Sequence, residues 1–423
     1  MPDTLTMTPL RRAGVRLLSL ALLLSLTLWL SGCGGGDTAA PTDLAEPAAV
    51  ALAATNDRIN LGLQIFTDAN LSEPRGTPCA ACHQATMGFA GNHGGRNGVA
   101  VGSRPGSIGS RNAMTNSYLG LIPTPLSFVT LDGVTEAVGG LFWDGRADSA
   151  ELQALGPLLN PLEMNNPDRK SVVDKIAQSR YAAQFRRAFG ADIFANTDAA
   201  FTSIGVAIAA FERARLQPFS SKYDAMVRGQ AALSPPEARG MALFMDPAKA
   251  NCAGCHLMNP TSGKPEDSPF SEFTYYATGI PRNSAIPKNA DPAFYDLGLC
   301  GPDRTPPTLP SSVAPGVTIS NFCGQFRMPT LRNVAERPAF MHNGFFNNLT
   351  QVVRFYSTRN SDPVRWYGQA VSNDVPTQYL GNIEVVKAPF NRAANAGPAL
   401  SELEIADIVA FLHTLSDGFT AAP

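Results

Sequence analysis

Read for the spacing of apolar and polar positions, the chain divides into segments of unlike character. Leu17 to Leu30 is an almost unbroken apolar run, and Gly34 to Pro47 is then mostly Gly, Ala, Thr, Pro and acidic residues. The run is shorter than the ~20 residues of a comfortable membrane span. The polar stretch offers too little apolar surface to pack and predicts a flexible tether. Beyond it, apolar residues recur at helical spacing in Gly62–Asp68, Phe201–Leu216, Gly240–Asp246 and Ser401–Leu415. In the last of these, Ile405, Ile408, Val409, Leu412 and Leu415 make one face, and Ser401 with Glu404 forms a capping box. Ser234-Pro235-Pro236-Glu237 reads as another helix start, with Pro in the first turn. Between Met258 and Met328 the pattern lapses into Gly- and Pro-rich chain. A mainly α protein with long ordered loops follows.

Composition narrows the class. The 423 residues are 44% hydrophobic, which excludes a wholly disordered chain, and at roughly 150 residues per domain suggest two or three domains. Only 16% are charged and the net charge is −2, so no nucleic-acid partner is expected. Arg11, Arg12 and Arg16 precede the apolar run, so residues 1–32 read as a signal peptide. The run ends Leu30-Ser31-Gly32-Cys33, which resembles the lipobox of bacterial lipoproteins, where the signal is cleaved before a cysteine that then carries diacylglycerol. That resemblance implies a membrane anchor through Cys33, a tether over 33–54 and a periplasmic location. Gly34 lacks the aspartate associated with inner-membrane retention, which favours the outer membrane. The alternative is an ordinary secretory signal with an incidental cysteine. Cleavage removes three basic residues and one acidic one, moving the net charge from −2 to −4.

Two motifs carry the chemistry. Cys79-Ala80-Ala81-Cys82-His83 and Cys252-Ala253-Gly254-Cys255-His256 both have the pattern C-x-x-C-H of c-type haem attachment. The thiols add to the haem vinyls and the imidazole becomes the proximal iron ligand. A zinc site or redox dithiol competes for a lone motif, but two copies on an exported chain favour haem. Gly62-Leu63-Gln64-Ile65-Phe66-Thr67-Asp68 aligns with Gly240-Met241-Ala242-Leu243-Phe244-Met245-Asp246, each leading into its motif. The chain therefore looks like two cytochrome c units, at 55–225 and 226–423, each with a helix carrying its Phe onto a haem. The terminal helix suits docking on the first helix of its own unit, with His413 on its surface. Of seven cysteines, Cys300 and Cys323 remain. In an oxidising compartment they should pair, stabilising their loop by roughly 3 kcal/mol; a second metal site there lacks a nearby histidine.

With these motifs the sequence resembles the bacterial di-haem cytochrome c peroxidases and their MauG-like relatives, from about Arg58 to Asp417. The resemblance also rests on Phe142-Trp143-Asp144-Gly145-Arg146-Ala147, Pro161-Leu162-Glu163-Met164-Asn165, Phe326-Arg327-Met328-Pro329-Thr330-Leu331-Arg332-Asn333 and Phe340-Met341-His342-Asn343-Gly344. It implies a peroxide-reactive haem on His83 and an electron-transfer haem on His256. Glu163 falls at the distal acid/base position, and Gln153 and Pro157 where MauG-like proteins line the same pocket. Trp143 matches the tryptophan between the haems. Asn112 matches the side-chain ligand of an inter-haem calcium ion, completed by the backbone carbonyls of Arg337 and Ala339, although the family commonly has Thr and Pro there.

The sixth ligand divides the family. Simple peroxidases use methionine on the C-terminal haem; here Tyr356 stands at that position, as in MauG-like enzymes. A phenolate is an anionic donor that stabilises oxidised iron. His93 matches no distal histidine convincingly, and His342 reads as a structural hydrogen-bonding residue. The resemblance implies that hydrogen peroxide is reduced at the N-terminal haem, with the second oxidising equivalent held on the C-terminal haem and delivered to a partner protein carrying an oxidisable Trp. Two alternatives stay open: a simple peroxidase fed by a small cytochrome or cupredoxin, and a non-catalytic di-haem carrier. MauG has a tryptophan before the second motif, but Ala248-Lys249-Ala250-Asn251 supplies none. Trp366-Tyr367 is another exit route or a packed surface loop. Tyr295–Pro302 is similar to the lipoprotein subgroup that partners copper-binding proteins.

Overall fold

The glycine of each repeated segment sits where two helices cross. In the computed structural model, which describes residues 45–95 and 98–420, the first half carries α1 (Ala45–Phe66), the single turn α2 (Cys79–Cys82), α3 (Ala150–Leu159), α4 (Arg169–Ala177), α5 (Ala182–Phe189) and α6 (Thr197–Arg215). A Cβ on Gly62 would lie 2.0 Å from the Ala207 carbonyl oxygen, so α1 and α6 touch backbone to backbone at that point. One turn further on, Phe66 packs on Phe211 at 5.3 Å.

The second half repeats the arrangement. It holds α7 (Lys222–Val227), α8 (Pro235–Met245), α9 (Leu349–Thr358), α10 (Pro363–Tyr367) and α11 (Glu402–His413). A Cβ on Gly240 would lie 1.9 Å from the Asp407 carbonyl oxygen, joining α8 to α11, and Phe244 packs on Phe411 at 5.3 Å. Ser234 with Glu237 and Ser401 with Glu404 cap the two helices with reciprocal hydrogen bonds. His413 is exposed on α11. The run ending at Leu216 is thus the counterpart, in the first half, of the terminal helix.

Strands are few, and the fold is mainly helical. Antiparallel β1 (Ser127–Leu131) and β2 (Val134–Val138) form a hairpin, and β3 (Tyr275–Tyr276) pairs with β4 (Phe326–Arg327). Long irregular segments with short 3-10 turns connect the helices.

Residues 48–423 form one compact unit, with two principal apolar cores. Leu61, Ile65, Leu158, Ile176, Phe185, Ile204 and Ile208 anchor the first; Tyr223, Phe244, Phe270, Phe355, Ile405 and Phe411 anchor the second. The change of core falls between Leu216 and Tyr223, a few residues before the expected boundary at 225/226. Helix α1 starts at Ala45, so residues 45–54 of the segment expected as a tether are helical; six of those ten are alanine, the strongest helix former. The signal peptide, Cys33 and residues 33–44 of the tether lie outside the described residues. No helix among the described residues is long and apolar enough to cross a membrane. Cys300 and Cys323 are joined in a disulfide.

Because a methyl on Gly240 has no room between α8 and α11, Gly240→Ala is expected to destabilise the fold by about 1–3 kcal/mol. The drop is read as a lower midpoint in denaturant unfolding; an unchanged midpoint would show that the helices separate freely.

Candidate functional site

Each C-x-x-C-H segment lies at the edge of its own cavity. Cys79, Cys82 and His83 line the first, an empty space of about 1330 Å³ partly open to solvent; Cys252, Cys255 and His256 line the second, of about 1430 Å³. Phe66 and Phe244, the aromatic residues of the repeat, line the corresponding cavities. The crossings at Gly62 and Gly240 therefore aim one ring into each.

The histidines are held in the same way. His83 Nδ1 lies 3.0 Å from the Phe89 carbonyl oxygen, and His256 Nδ1 lies 2.8 Å from that of Phe270. A backbone carbonyl only accepts, so Nδ1 carries the proton and Nε2 is left with its lone pair, the tautomer an iron ligand needs. Burial first, against the hydrogen bond, lowers both histidines, His256 to about 4, so both are neutral at physiological pH. Phe89 and Phe270 have φ of 55° and 51°, a region bulky side chains rarely occupy. Sequence reasoning missed both residues: they follow their histidines by 6 and 14 positions, so no common spacing marks them.

Haem fits these residues. Burial pushes the Cys79 and Cys82 thiols up to about 12, the opposite of a reactive dithiol. Among the described residues, no cluster of three His, Cys, Asp or Glu side chains is placed to hold a metal ion. Arg327, 3% exposed, lines both cavities and Arg337, half-buried, lines the second; neither makes an ion pair with a carboxylate among the described residues, and Asp144 acts on Arg327 only from a distance. Burial lowers both guanidinium groups, Arg337 to about 10, and Arg337 Nε is unpartnered. A buried cation calls for an anion, and the propionate groups of a haem are anions.

The first cavity brings Glu163, Gln153 and Pro157 together with His83. Pro157 lies inside α3, and Glu163 follows in the turn, where its N–H donates to the Asn160 carbonyl. A Cβ on Gly102 would come 2.2 Å from the Leu162 carbonyl oxygen, so a glycine at 102 lets the neighbouring loop close on this turn. Burial, partly offset by Arg146, raises the Glu163 carboxyl to about 6. A second acid, Glu212, also lines this cavity and drew no attention in the sequence. It is 1% exposed, burial raises it to about 8, Asn116 donates to one oxygen and the other has no partner. His93 is absent from the lining and faces the Val101 carbonyl instead.

The second cavity holds Tyr356 with His256. Tyr356 lies on α9, stacks on Phe390 at 5.0 Å, and its hydroxyl has no hydrogen-bond partner among the described residues. Burial raises its phenol. Trp366 and Tyr367 lie outside the lining: Trp366 packs on Phe346 and Phe355, and Tyr367 donates to the Gly279 carbonyl.

Trp143, Asn112 and Arg327 line both cavities. The Trp143 indole N–H donates to the Asn112 carbonyl at 2.8 Å. The Asn112 amide nitrogen lies 3.0 Å from the Ala339 carbonyl, and its Oδ1 is buried without a partner. His342, stacked on Phe326 at 3.6 Å, lies 6.5 Å from the Trp143 ring.

Two c-type attachment sites whose cavities share one indole define a di-haem cytochrome c. The description "Di-haem cytochrome c peroxidase" matches residues 56–232. Over 405 residues the chain is 33% identical to the methylamine utilization protein MauG of Paracoccus denitrificans, covering 95% of this chain and 96% of that one. It is 26% identical over 336 residues to the cytochrome c551 peroxidase of Nitrosomonas europaea, covering 78% and 81%. Its structure resembles the diheme peroxidase BthA of Burkholderia thailandensis, with TM-score 0.78, 39% identity and coverage of 85% and 86%. A MauG-like protein associated with microbial copper homeostasis is similar at TM-score 0.57 and 26% identity, covering 85% and 89%. The chain belongs to the di-haem cytochrome c peroxidase and MauG family, and is an oxidoreductase acting on peroxide.

Replacing Cys252 and Cys255 together with Ser is expected to leave one covalent haem per chain, and replacing Cys300 and Cys323 to leave two. Haem staining against protein mass reads both; two haems on the first variant would mean attachment elsewhere.

Proposed function

We propose that hydrogen peroxide is reduced at the His83 site and that the second oxidising equivalent passes by Trp143 to the His256 and Tyr356 site, from which a partner protein is oxidised. The observation that carries this reading is the shared wall: Trp143 lines the cavity of His83 and Glu163 and also that of His256 and Tyr356. Bound haem supplies an iron that accepts peroxide and gives up electrons. The other steps belong to the chain.

Glu163 is the proton carrier. Cleaving the O–O bond needs a proton moved from the inner to the departing oxygen. Its carboxyl, raised to about 6 by burial, is ionised at neutral pH yet close enough to that range to return the proton. Gln153 and Pro157 confine the peroxide beside it. Trp143 donates its N–H to a backbone carbonyl, which fixes the ring in the wall. Tyr356, whose hydroxyl has no hydrogen-bond partner among the described residues, would bind the iron of a haem held by His256.

Calcium belongs in the same wall. The unpartnered Asn112 Oδ1 and the nearby Ala339 carbonyl support a site completed by the Arg337 carbonyl and water. Family members are periplasmic, and we place the mature protein there, held by lipid on Cys33 at the outer membrane. Its partner is a protein with an oxidisable side chain; in the simple peroxidase reading a small cytochrome or cupredoxin takes that place.

The rate of reaction of the ferric di-haem protein with peroxide is expected to rise with pH through about 6, as Glu163 loses the proton that blocks it, and then to level. Glu163→Gln is expected to lower the rate by about 10²–10⁴ and remove that limb; stopped-flow rates across pH check both. Tyr356→Phe is expected to abolish a long-lived doubly oxidised state after peroxide, seen by absorption and EPR. Its survival would refute ligation by Tyr356. A protein that responds only after one-electron reduction is a simple peroxidase, and one that never responds is a carrier.

A further inference from the structure

The second cavity has a phenol that the reading above does not use. Tyr276 lies on β3, opposite Phe326 of β4. Alternation along the strand buries Tyr275, 4% exposed with its hydroxyl on the Gly139 carbonyl, and turns Tyr276 to the other side. There Tyr276 lines the second cavity while keeping part of its surface in solvent.

Its hydroxyl is surrounded by groups suited to moving a proton. It lies against the Cys255 sulfur, which carries the haem thioether. It donates to Glu272 Oε1 at 2.7 Å, an oxygen that also accepts from Thr274. Lys387 Nζ donates to the phenol oxygen at 2.5 Å and sits 4.6 Å from the ring centre. Burial and the hydrogen bond to Glu272 raise the phenol well above its ordinary value, so the resting side chain keeps its proton.

The other oxidisable rings lack this combination. Tyr356 lines the cavity but has no carboxylate on its hydroxyl among the described residues. Tyr367 donates to a backbone carbonyl, and Trp366 to the Thr358 hydroxyl; neither lines the cavity. Tyr118 has a carboxylate, Asp417, but lines neither cavity.

We infer that Tyr276, with Glu272 as its base, is the relay through which the oxidising equivalent leaves the second cavity and reaches the partner protein. The inference rests on the proposed function, because peroxide supplies the oxidant. In the step, the phenol gives one electron to the oxidised second centre and its O–H proton to Glu272, leaving a neutral phenoxyl radical. Without that transfer a phenol cation radical would stand beside the Lys387 ammonium, and two positive charges a few ångströms apart in a partly buried site repel strongly. The radical then takes one electron from the partner and recovers the proton from Glu272. Two such passages match the two electrons that peroxide consumes. Tyr276 thus does from β3 what the absent aromatic residue before the second motif cannot.

The test uses the di-haem holoprotein, mixed with peroxide, freeze-quenched and read by EPR. A tyrosyl radical is expected in the wild type and in Tyr367→Phe. Its yield is expected to fall tenfold or more in Tyr276→Phe and in Glu272→Gln, with haem content measured on each to confirm folding. A tyrosyl signal that survives in Tyr276→Phe, or a wild type whose ferric haem responds to peroxide without forming one, overturns the inference and leaves the proposed function standing. A wild type whose haem spectrum ignores peroxide sinks the proposed function and the relay with it.

Discussion

The wall between the two cavities depends on Asp144, a carboxylate with no exposed surface. One oxygen meets Arg111 at 2.7 Å and the other meets Arg146 at 2.9 Å, while Arg111 also grips Asp296 with two hydrogen bonds. Arg304 donates to the Asp144 carbonyl from a fourth segment. Buried charges like these add little net stability while paired, but losing one partner typically costs about 3–5 kcal/mol. The value of the cluster lies in position. Asp144 is the neighbour of Trp143, so the charges that lock one lock the indole next to it. On the far side, Arg111 covers Phe326, Phe326 stacks on His342, and His342 meets the Trp143 edge.

Around that wall the chain builds the same device twice. A glycine lets two helices meet at backbone distance, a phenylalanine one turn later faces the cavity, and a one-turn segment presents two thiols and a histidine. A backbone carbonyl from a phenylalanine with positive φ then sets the tautomer. The second halves of the two units differ, and with them the chemistry. The first cavity is lined by the carboxylates Glu163 and Glu212, both raised by burial. The second receives phenols, Tyr356 and Tyr276, beside Glu384 and Lys387. A carboxyl raised toward neutrality moves protons, whereas a phenol binds iron or gives up an electron together with a proton. The division of labour between the cavities therefore follows from which loops close over each.

Much of this was legible in the sequence because it is local. A C-x-x-C-H motif is complete within five residues, a capping box within four, and a G-x-x-x-F repeat within one turn and a half of helix, so each is visible without knowing the fold. The family resemblance extended that reach to Glu163, Trp143 and Tyr356, whose places in the cavities no periodicity discloses. Local pattern misled where composition spoke for both outcomes. The alanine-rich 45–54 reads as polar tether beside Gly and Pro, yet propagates a helix once α1 supplies the turn to grow from.

What the sequence by itself determined is the covalent chemistry: two haem attachment sites, their histidines, and the helices that lead into them. Only the tertiary structure decided the rest. It brought the Phe89 and Phe270 carbonyls to those histidines and Arg327 to both cavities, left Glu212 with an unpartnered oxygen, and placed Tyr276 between the Cys255 sulfur and a carboxylate. The reason is physical. A motif bonded along the chain carries its geometry with it, whereas a contact such as Arg327 with Phe142, 185 positions apart, exists only after packing has closed the long loops between them.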